Sequence, residues 1–265
     1  MSSALPTEKI GGAIRSVEAL RRGVLYQLIL FAAVLGLQAA AIAYAVLFAR
    51  SIAPLIGRGG LPPTSHVLPA LLGFSALMLL GGLAVLVLFI LAYVGVSRGL
   101  REWCRFSDEF CTSYKFWRYG IPFVILLVIA GVAVLTIGVI HALPALMEQG
   151  LRGLLAVAGV ALGGLALLGG AWILGLLVEV FYFIALNRIS RLLKNDTILV
   201  GAVLVLVGYI LSSIGGVFNA IMGGGALGGG AGALSTALQL AGYIALYSGL
   251  GSSIGQLRSV EESSV

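Results

Sequence analysis

The acidic side chain best placed to do chemistry in this chain is Glu179, the only carboxyl group well inside an apolar run. An ionisable group in hydrocarbon costs free energy, so one that is retained there is a candidate functional residue. Glu179 could couple transport to a proton or a cation. It could instead pair with a basic residue near the end of its own segment, for which the candidates are Arg98, Arg188 and Arg191.

Two glutamines inside apolar runs, Gln38 and Gln239, join Glu179 as candidates for a transport path. Amide side chains in such runs also hydrogen-bond between helices, which is a packing role. Both roles stay open for the two glutamines. The same runs contain further polar side chains: Gln27, Ser75, Thr136 and Asn219.

Side-chain patterns typical of enzymes and metal sites are weak in this chain. His66 and His141 stand without a carboxylate cluster or the spacing of metal ligands. No HExxH motif and no pair of intramembrane aspartates is present, and Ser75 sits in GFSA where rhomboid-type proteases have a closing glycine. The sequence therefore predicts a non-enzymatic protein with no catalytic residue, no metal site and no cofactor.

The two cysteines, Cys104 and Cys111, are seven residues apart. If their segment is one helix, they lie about 10 Å apart along its axis, which is too far for a relaxed disulfide. We therefore expect two separate thiols, each packed as a small apolar side chain.

Composition places the whole chain in a membrane. The 265 residues are 60% hydrophobic and 10% charged, and the mean hydropathy is +1.11. No soluble domain of this length needs so much apolar surface. The pI near 9.6 does not indicate nucleic-acid binding, because the basic residues are scattered through short connections. The predicted partner is the lipid bilayer, with no nucleic acid.

The apolar runs predict an all-α fold of six transmembrane helices, arranged as three helical hairpins. Weak similarity among the hairpins raises the hypothesis of a threefold repeat. The transmembrane domain covers 23–258, between a cytoplasmic amphipathic segment at 1–22 and a cytoplasmic tail at 259–265. The predicted spans are 23–48, 67–96, 121–143, 154–186, 197–222 and 233–254.

Basic residues predict the orientation of the spans. With six spans, only Arg50, Arg58 and Arg152 fall on one side of the membrane, and every other Lys and Arg falls on the opposite side. Cytoplasmic loops carry the excess of basic residues. Both termini are therefore expected in the cytoplasm.

The longest polar segment in this mostly apolar sequence is 98–119, RGLREWCRFSDEFCTSYKFWRY. Its aromatic residues recur at helical spacing, which predicts a cytoplasmic helix lying at the membrane interface. The same aromatic face could instead dock another protein. The interfacial or partner-docking candidates are Trp103, Phe110, Tyr114, Trp117, Arg101 and Arg105.

The two ends of the chain carry a family resemblance. Residues 17–29, VEALRRGVLYQLI, and 238–258, LQLAGYIALYSGLGSSIGQLR, resemble uncharacterised multi-pass membrane proteins of archaea. The resemblance implies an archaeal plasma membrane, and it transfers no functional residue.

Two function hypotheses follow. The first is a non-catalytic membrane component, either an accessory subunit or a homo-oligomeric scaffold, whose partners are other membrane subunits or copies of itself. The alternative is a small transporter or channel that uses Glu179 and the intramembrane glutamines.

Overall fold

The computed structural model describes residues 7–56, 64–149, 151–222 and 226–263, with side-chain surroundings for 10–44, 46–50, 72–138, 140, 158–215 and 232–263. Within these ranges every residue is helical except Ser107, Lys194 and Asn195. The predicted all-α class is therefore confirmed for the described part of the chain.

Seven α-helices are described, and two short non-α turns flank the shortest of them. Residues Asp108–Phe110 form a 3₁₀ turn and residues Phe116–Gly120 form a π turn. The helices are α1 Thr7–Ile56, α2 Thr64–Phe106, α3 Cys111–Lys115, α4 Ile121–Gln149, α5 Leu151–Leu193, α6 Asp196–Met222 and α7 Ala226–Ser263.

Five stretches of the described chain are long and apolar enough to cross a bilayer, which supports a membrane protein. The sixth predicted span, 233–254, lies in α7, whose glycines and serines make it less apolar than the others. The predicted Gly-rich connection at 223–232 is helical from Ala226 onward, and its first three residues lie outside the described ranges. The five stretches are Ile10–Arg50, Leu72–Phe106, Asp108–Gly138, Ala158–Leu193 and Asp196–Gly215.

Three helices are much longer than a membrane crossing requires. The 50 residues of α1 and the 43 of α2 and α5 give lengths of about 75 and 65 Å, against a hydrocarbon core of about 30 Å. Helix α1 runs without a break from Thr7, so the described part of the predicted amphipathic segment at 1–22 is continuous with the first predicted span. The break between α5 and α6 is confined to Lys194 and Asn195, and α7 continues into the predicted tail at 259–265 as far as Ser263.

Neighbouring helices pair closely along the chain: α1 with α2, α4 with α5, and α6 with α7. Glycines allow the close approach. A Cβ placed on Gly95 of α2 would lie 2.7 Å from the Cα of Gly23 in α1, and one on Gly242 of α7 would lie 2.8 Å from the Gly201 carbonyl oxygen in α6. Small residues at such crossings let helix backbones touch in a membrane.

The buried core lies at one end of the bundle, where most of the basic residues also lie. It contains the first turns of α1, the last turns of α2, α5 and α7, the start of α6, and the segment between α2 and α4. Toward the opposite end the side chains are largely exposed and apolar, as at Leu80, Ile129 and Leu162. This buried core at the basic end of the bundle is the packed base of the molecule.

The turn between α5 and α6 is fixed by one buried amide. Lys194 has a positive φ of 50°, which ends α5. Asn195 then accepts a hydrogen bond from the Thr197 N–H on Oδ1 at 3.1 Å, which caps α6. Its Nδ2 donates to the Gly249 carbonyl and the Ser253 hydroxyl, at 2.8 and 2.9 Å, and thereby ties the turn to α7.

The central segment 98–119 is not one helix, which corrects the prediction. Ser107 is extended, with φ −154° and ψ 134°, and the chain turns there before the 3₁₀ turn begins. The turn brings Cys104 and Cys111 together in a disulfide, with their Cα atoms 4.5 Å apart. The expectation of two separate thiols is wrong because it assumed an unbroken helix.

Reducing this disulfide is expected to destabilise the base modestly, by about 2 kcal/mol, because the bond closes only a short loop. Intact-mass measurement under denaturing conditions without reductant should find a protein that resists alkylation and is two hydrogens lighter than the dithiol. After reduction it should take up two alkyl groups. The double variant Cys104→Ser/Cys111→Ser should show no response of its thermal stability to reductant. Alkylation of both thiols before reduction would contradict the assignment.

Candidate functional site

Glu179 lines a cavity of about 240 Å³ where the three helix pairs meet. Glu179 as a residue is half-buried and lines this cavity. Among the described side chains, those of α3 and α6 contribute nothing to the lining. The lining residues are Gln27, Leu30, Phe31, Val34, Phe89, Ala92, Tyr93, Trp117, Ile121, Glu179 and Tyr243.

The Glu179 carboxyl group has no basic partner within the described residues. The hypothesis that it pairs with Arg98, Arg188 or Arg191 is therefore wrong for these side chains. Arg188 turns away and lies 3.6 Å from the Glu109 carboxylate, while its guanidinium donates to the Glu109 carbonyl at 2.6 Å. An unpaired carboxylate in apolar surroundings costs several kcal/mol, so this position favours neutralisation, either by a proton or by a bound cation.

Tyrosines surround Glu179 in place of cations. Tyr182, Tyr209 and Tyr243 lie within electrostatic range of its carboxyl group. Each brings a hydroxyl group and an aromatic ring. The site can therefore offer hydrogen bonds and ring faces to a ligand, and it offers one formal negative charge.

Gln27 is the second polar group of the cavity wall and is buried. The Tyr182 hydroxyl donates to its carboxamide oxygen at 3.3 Å, which joins α1 to α5 across 155 positions of sequence. This hydrogen bond holds the Gln27 amide beside Glu179. Sequence reasoning placed Gln27 among the polar residues of the apolar runs but did not select it.

The π turn positions the aromatic floor of the cavity. Gly120 lies directly against Val178 of α5, where a side chain would collide, so the turn packs tightly on the helix that carries Glu179. Trp117 packs against Tyr182 with the two rings tilted by 45° and their centroids 4.8 Å apart, and its indole N–H donates to the Tyr93 carbonyl at 3.4 Å. A π turn inside an α-helical stretch is frequent at functional sites.

The other two transport candidates do not join Glu179. Gln38 is exposed on α1, toward the end of the bundle away from the core. Gln239 lies in the contact between α6 and α7, where its side chain occupies the space beside Gly208 and its amide reaches the Ser235 hydroxyl at 3.5 Å. Of the three predicted transport residues, the cavity contains Glu179 alone.

The aromatic face of 98–119 points into the protein. Trp103, Phe110 and Trp117 are buried in the core, and Trp103 packs against Phe110 with ring centroids 5.3 Å apart. These three side chains are thus placed where neither headgroups nor a docking partner would meet them. The expected surface position is corrected because the turn at Ser107 folds the segment back on α2 and α5.

The remaining three interfacial candidates lie at the surface or near it. Arg105 is exposed and pairs with Glu102 at 2.9 Å. Arg101 is exposed and lines a shallow groove with Arg98 and Arg118. Tyr114 is half-buried, and its hydroxyl accepts a hydrogen bond from Arg118 at 2.6 Å.

The side chains of His66 and His141 lie outside the described side-chain ranges. In the part of the chain that is described, no group of three or more His, Cys, Asp or Glu side chains is placed to hold a metal ion.

Comparisons of this chain with protein-family models, with curated proteins and with solved structures found no match.

Proposed function

We propose that this chain is a non-enzymatic membrane transport protein that binds its substrate in the Glu179 cavity. The observation that carries the proposal is an acidic residue in the lining of an apolar cavity, without a basic partner in the described chain. Ionisable groups inside transmembrane segments mark substrate, ion or proton pathways. Glu179 is the residue that exchanges a proton or a cation with the transported species.

The proposed topology is six spans in three hairpins, with both termini cytoplasmic in an archaeal plasma membrane. The close pairing of α1 with α2, α4 with α5 and α6 with α7 supports the hairpins. The basic residues around the packed base support a cytoplasmic base. Protease access to the C-terminus from either side of sealed vesicles tests this orientation.

The hairpins are suited to move as units around the cavity. Backbone contacts at glycines hold each hairpin together, as between Gly23 and Gly95. Contacts between hairpins are made by side chains, such as the Phe31 and Tyr243 rings, whose centroids are 6.2 Å apart. Rocking of such units about a central site is the usual motion of secondary transporters. It would expose Glu179 to one side of the membrane at a time.

Glu179→Gln is expected to abolish cation-coupled flux, because the amide keeps the size of the side chain and loses its charge. The measurement is proton flux into liposomes under an imposed potential, read with an internal pH dye. Glu262→Gln is the matched control, since Glu262 is exposed near the end of α7, far from the cavity, and its loss should leave flux unchanged. Equal flux through wild-type and Glu179→Gln protein would refute the proposal.

The second candidate function is an accessory subunit or homo-oligomeric scaffold. It is supported by an apolar surface groove lined by Phe116, Tyr119, Phe123 and Leu174, in which Tyr119 is 64% exposed. Acyl chains of the bilayer would fill the same groove. Native mass spectrometry in mild detergent distinguishes a protein partner in this groove from lipid. A stoichiometric second polypeptide or a defined homo-oligomer would support the subunit or scaffold. A monomer with bound lipid would argue against it.

A further inference from the structure

The wall of the Glu179 cavity is unusually rich in aromatic rings. Five of the eleven described residues that line it are aromatic, and they come from α1, α2, the π turn before α4, and α7. Ring faces carry partial negative charge and attract cations at distances up to about 6 Å from the ring centroid. The five are Phe31, Phe89, Tyr93, Trp117 and Tyr243.

The oxygen atoms of the cavity are too few for a hard metal cation. Ca²⁺ takes six to eight oxygen ligands and Mg²⁺ demands six. The lining offers the Glu179 carboxylate, the Gln27 amide and two tyrosine hydroxyls, and two of these groups are already engaged. The Gln27 oxygen accepts from Tyr182, and the Tyr93 hydroxyl donates to the Arg118 carbonyl at 2.8 Å.

A cation that carries its own apolar surface matches this wall far better. Its methyl or methylene groups contact the rings, and its charge is balanced by the single carboxylate. Recognition of ammonium groups by aromatic cages works in this way. The volume of about 240 Å³ lies just below the range of about 300–1,000 Å³ for sites of drug-sized ligands, which points to a small ligand.

We infer that the Glu179 cavity binds a small organic ammonium ion, with Glu179 balancing the charge and the rings contacting its alkyl groups. The inference rests on the proposed function, since it names the substrate class of the same site. The ammonium ion is then the transported species, which Glu179 exchanges for a proton.

Equilibrium binding of radiolabelled tetramethylammonium to purified full-length protein in detergent tests the inference. Wild-type protein should bind it saturably, and excess tert-butanol, which has a similar shape and no charge, should not compete. Glu179→Gln should weaken binding at least about tenfold, because a buried charge pair is lost. Phe89→Leu, which keeps an apolar side chain and removes a ring, should weaken it about threefold to thirtyfold.

Phe123→Leu is the matched control for the ring substitution. Phe123 is 54% exposed and lies outside the Glu179 cavity, so this change should leave tetramethylammonium binding unaltered. Equal binding by wild type and Phe89→Leu would overturn the inference, because the rings would then take no part. Competition by tert-butanol equal to that by unlabelled tetramethylammonium would also overturn it, since the cavity would then select only apolar shape.

Failure of the inference and failure of the proposed function give different results. Glu179-dependent proton flux in liposomes without saturable tetramethylammonium binding leaves the transport function standing and rejects this substrate class. If correctly folded wild-type protein shows neither proton flux nor saturable tetramethylammonium binding, the inference and the proposed function are both rejected. Saturable binding that requires Glu179 and Phe89 supports both.

Discussion

Gly95→Ala is expected to lower the apparent Tm of the protein, whereas Gly82→Ala on the same helix should leave it unchanged or raise it. A methyl group on Gly95 would lie 2.7 Å from the Cα of Gly23 and 3.1 Å from its nitrogen. Both neighbours are backbone atoms, so α1 and α2 must move apart to make room. Overpacking of this kind costs about 1–3 kcal/mol.

Gly82 provides the control because nothing lies within 4 Å of the position its methyl group would take. There the substitution brings only the better helix propensity of Ala, a gain of about 1 kcal/mol. Thermal unfolding in detergent, followed by size-exclusion chromatography of the surviving fraction, measures both variants. Since about 1 kcal/mol shifts Tm by about 2–4 °C in a chain of this size, opposite signs are resolvable. A Gly95→Ala protein as stable as Gly82→Ala would contradict the close backbone contact.

Trp103→Ala should be the most destabilising single truncation in the base, at about 3–5 kcal/mol. The Trp103 side chain is 1% exposed and packs against Phe106 and Phe110, with ring centroids 5.7 and 5.3 Å away. Removing it leaves a cavity that rigid helices cannot close. Trp103→Phe should cost much less. The buried indole N–H has no hydrogen-bond partner in the described structure, and its loss removes the free-energy cost of burying an unpaired donor.

Trp172→Ala is the matched control for this truncation. Trp172 is 41% exposed on α5, in the part of the helix that crosses the membrane, so its removal leaves no internal cavity. The same chromatographic thermal assay should give a Tm near that of the wild type. If Trp103→Ala were as stable as Trp172→Ala, Trp103 would lie at the surface, and the hypothesis of an aromatic docking face at 98–119 would return.

The tight packing and the candidate site lie in different parts of the bundle. The tightly packed base holds the ends of five helices and the segment with the disulfide, and the Glu179 cavity lies at its edge, where more side chains become exposed. A rigid base fixes Trp117 and Gln27 beside Glu179. The looser half beyond the cavity is where hairpins would move if the proposed transport cycle operates.

Periodicity failed to mark the inward faces of the membrane helices for a physical reason. In a bilayer both the lipid-facing and the buried sides of a helix are apolar, so the sequence pattern hardly distinguishes one side from the other. Gln27 and Gln38 are eleven residues apart on α1, about three helical turns, and so share one face. Gln27 is buried by the base and Gln38 is exposed beyond it, because packing against that face ends between them.

The sequence by itself determined the helical class, the membrane environment and Glu179 as the unusual carboxyl group, because apolar run length and the cost of buried charge are local properties. The predicted span 197–222 lies within α6, Asp196–Met222. The tertiary structure alone decided the features that need contacts between distant segments. The turn at Ser107 made the disulfide and buried Trp103, and the meeting of three helix pairs left Glu179 without a basic partner among the described residues. Helix packing brought Gln27, Tyr182 and the rings to Glu179, since residues 155 positions apart become neighbours only through contacts that no local pattern encodes.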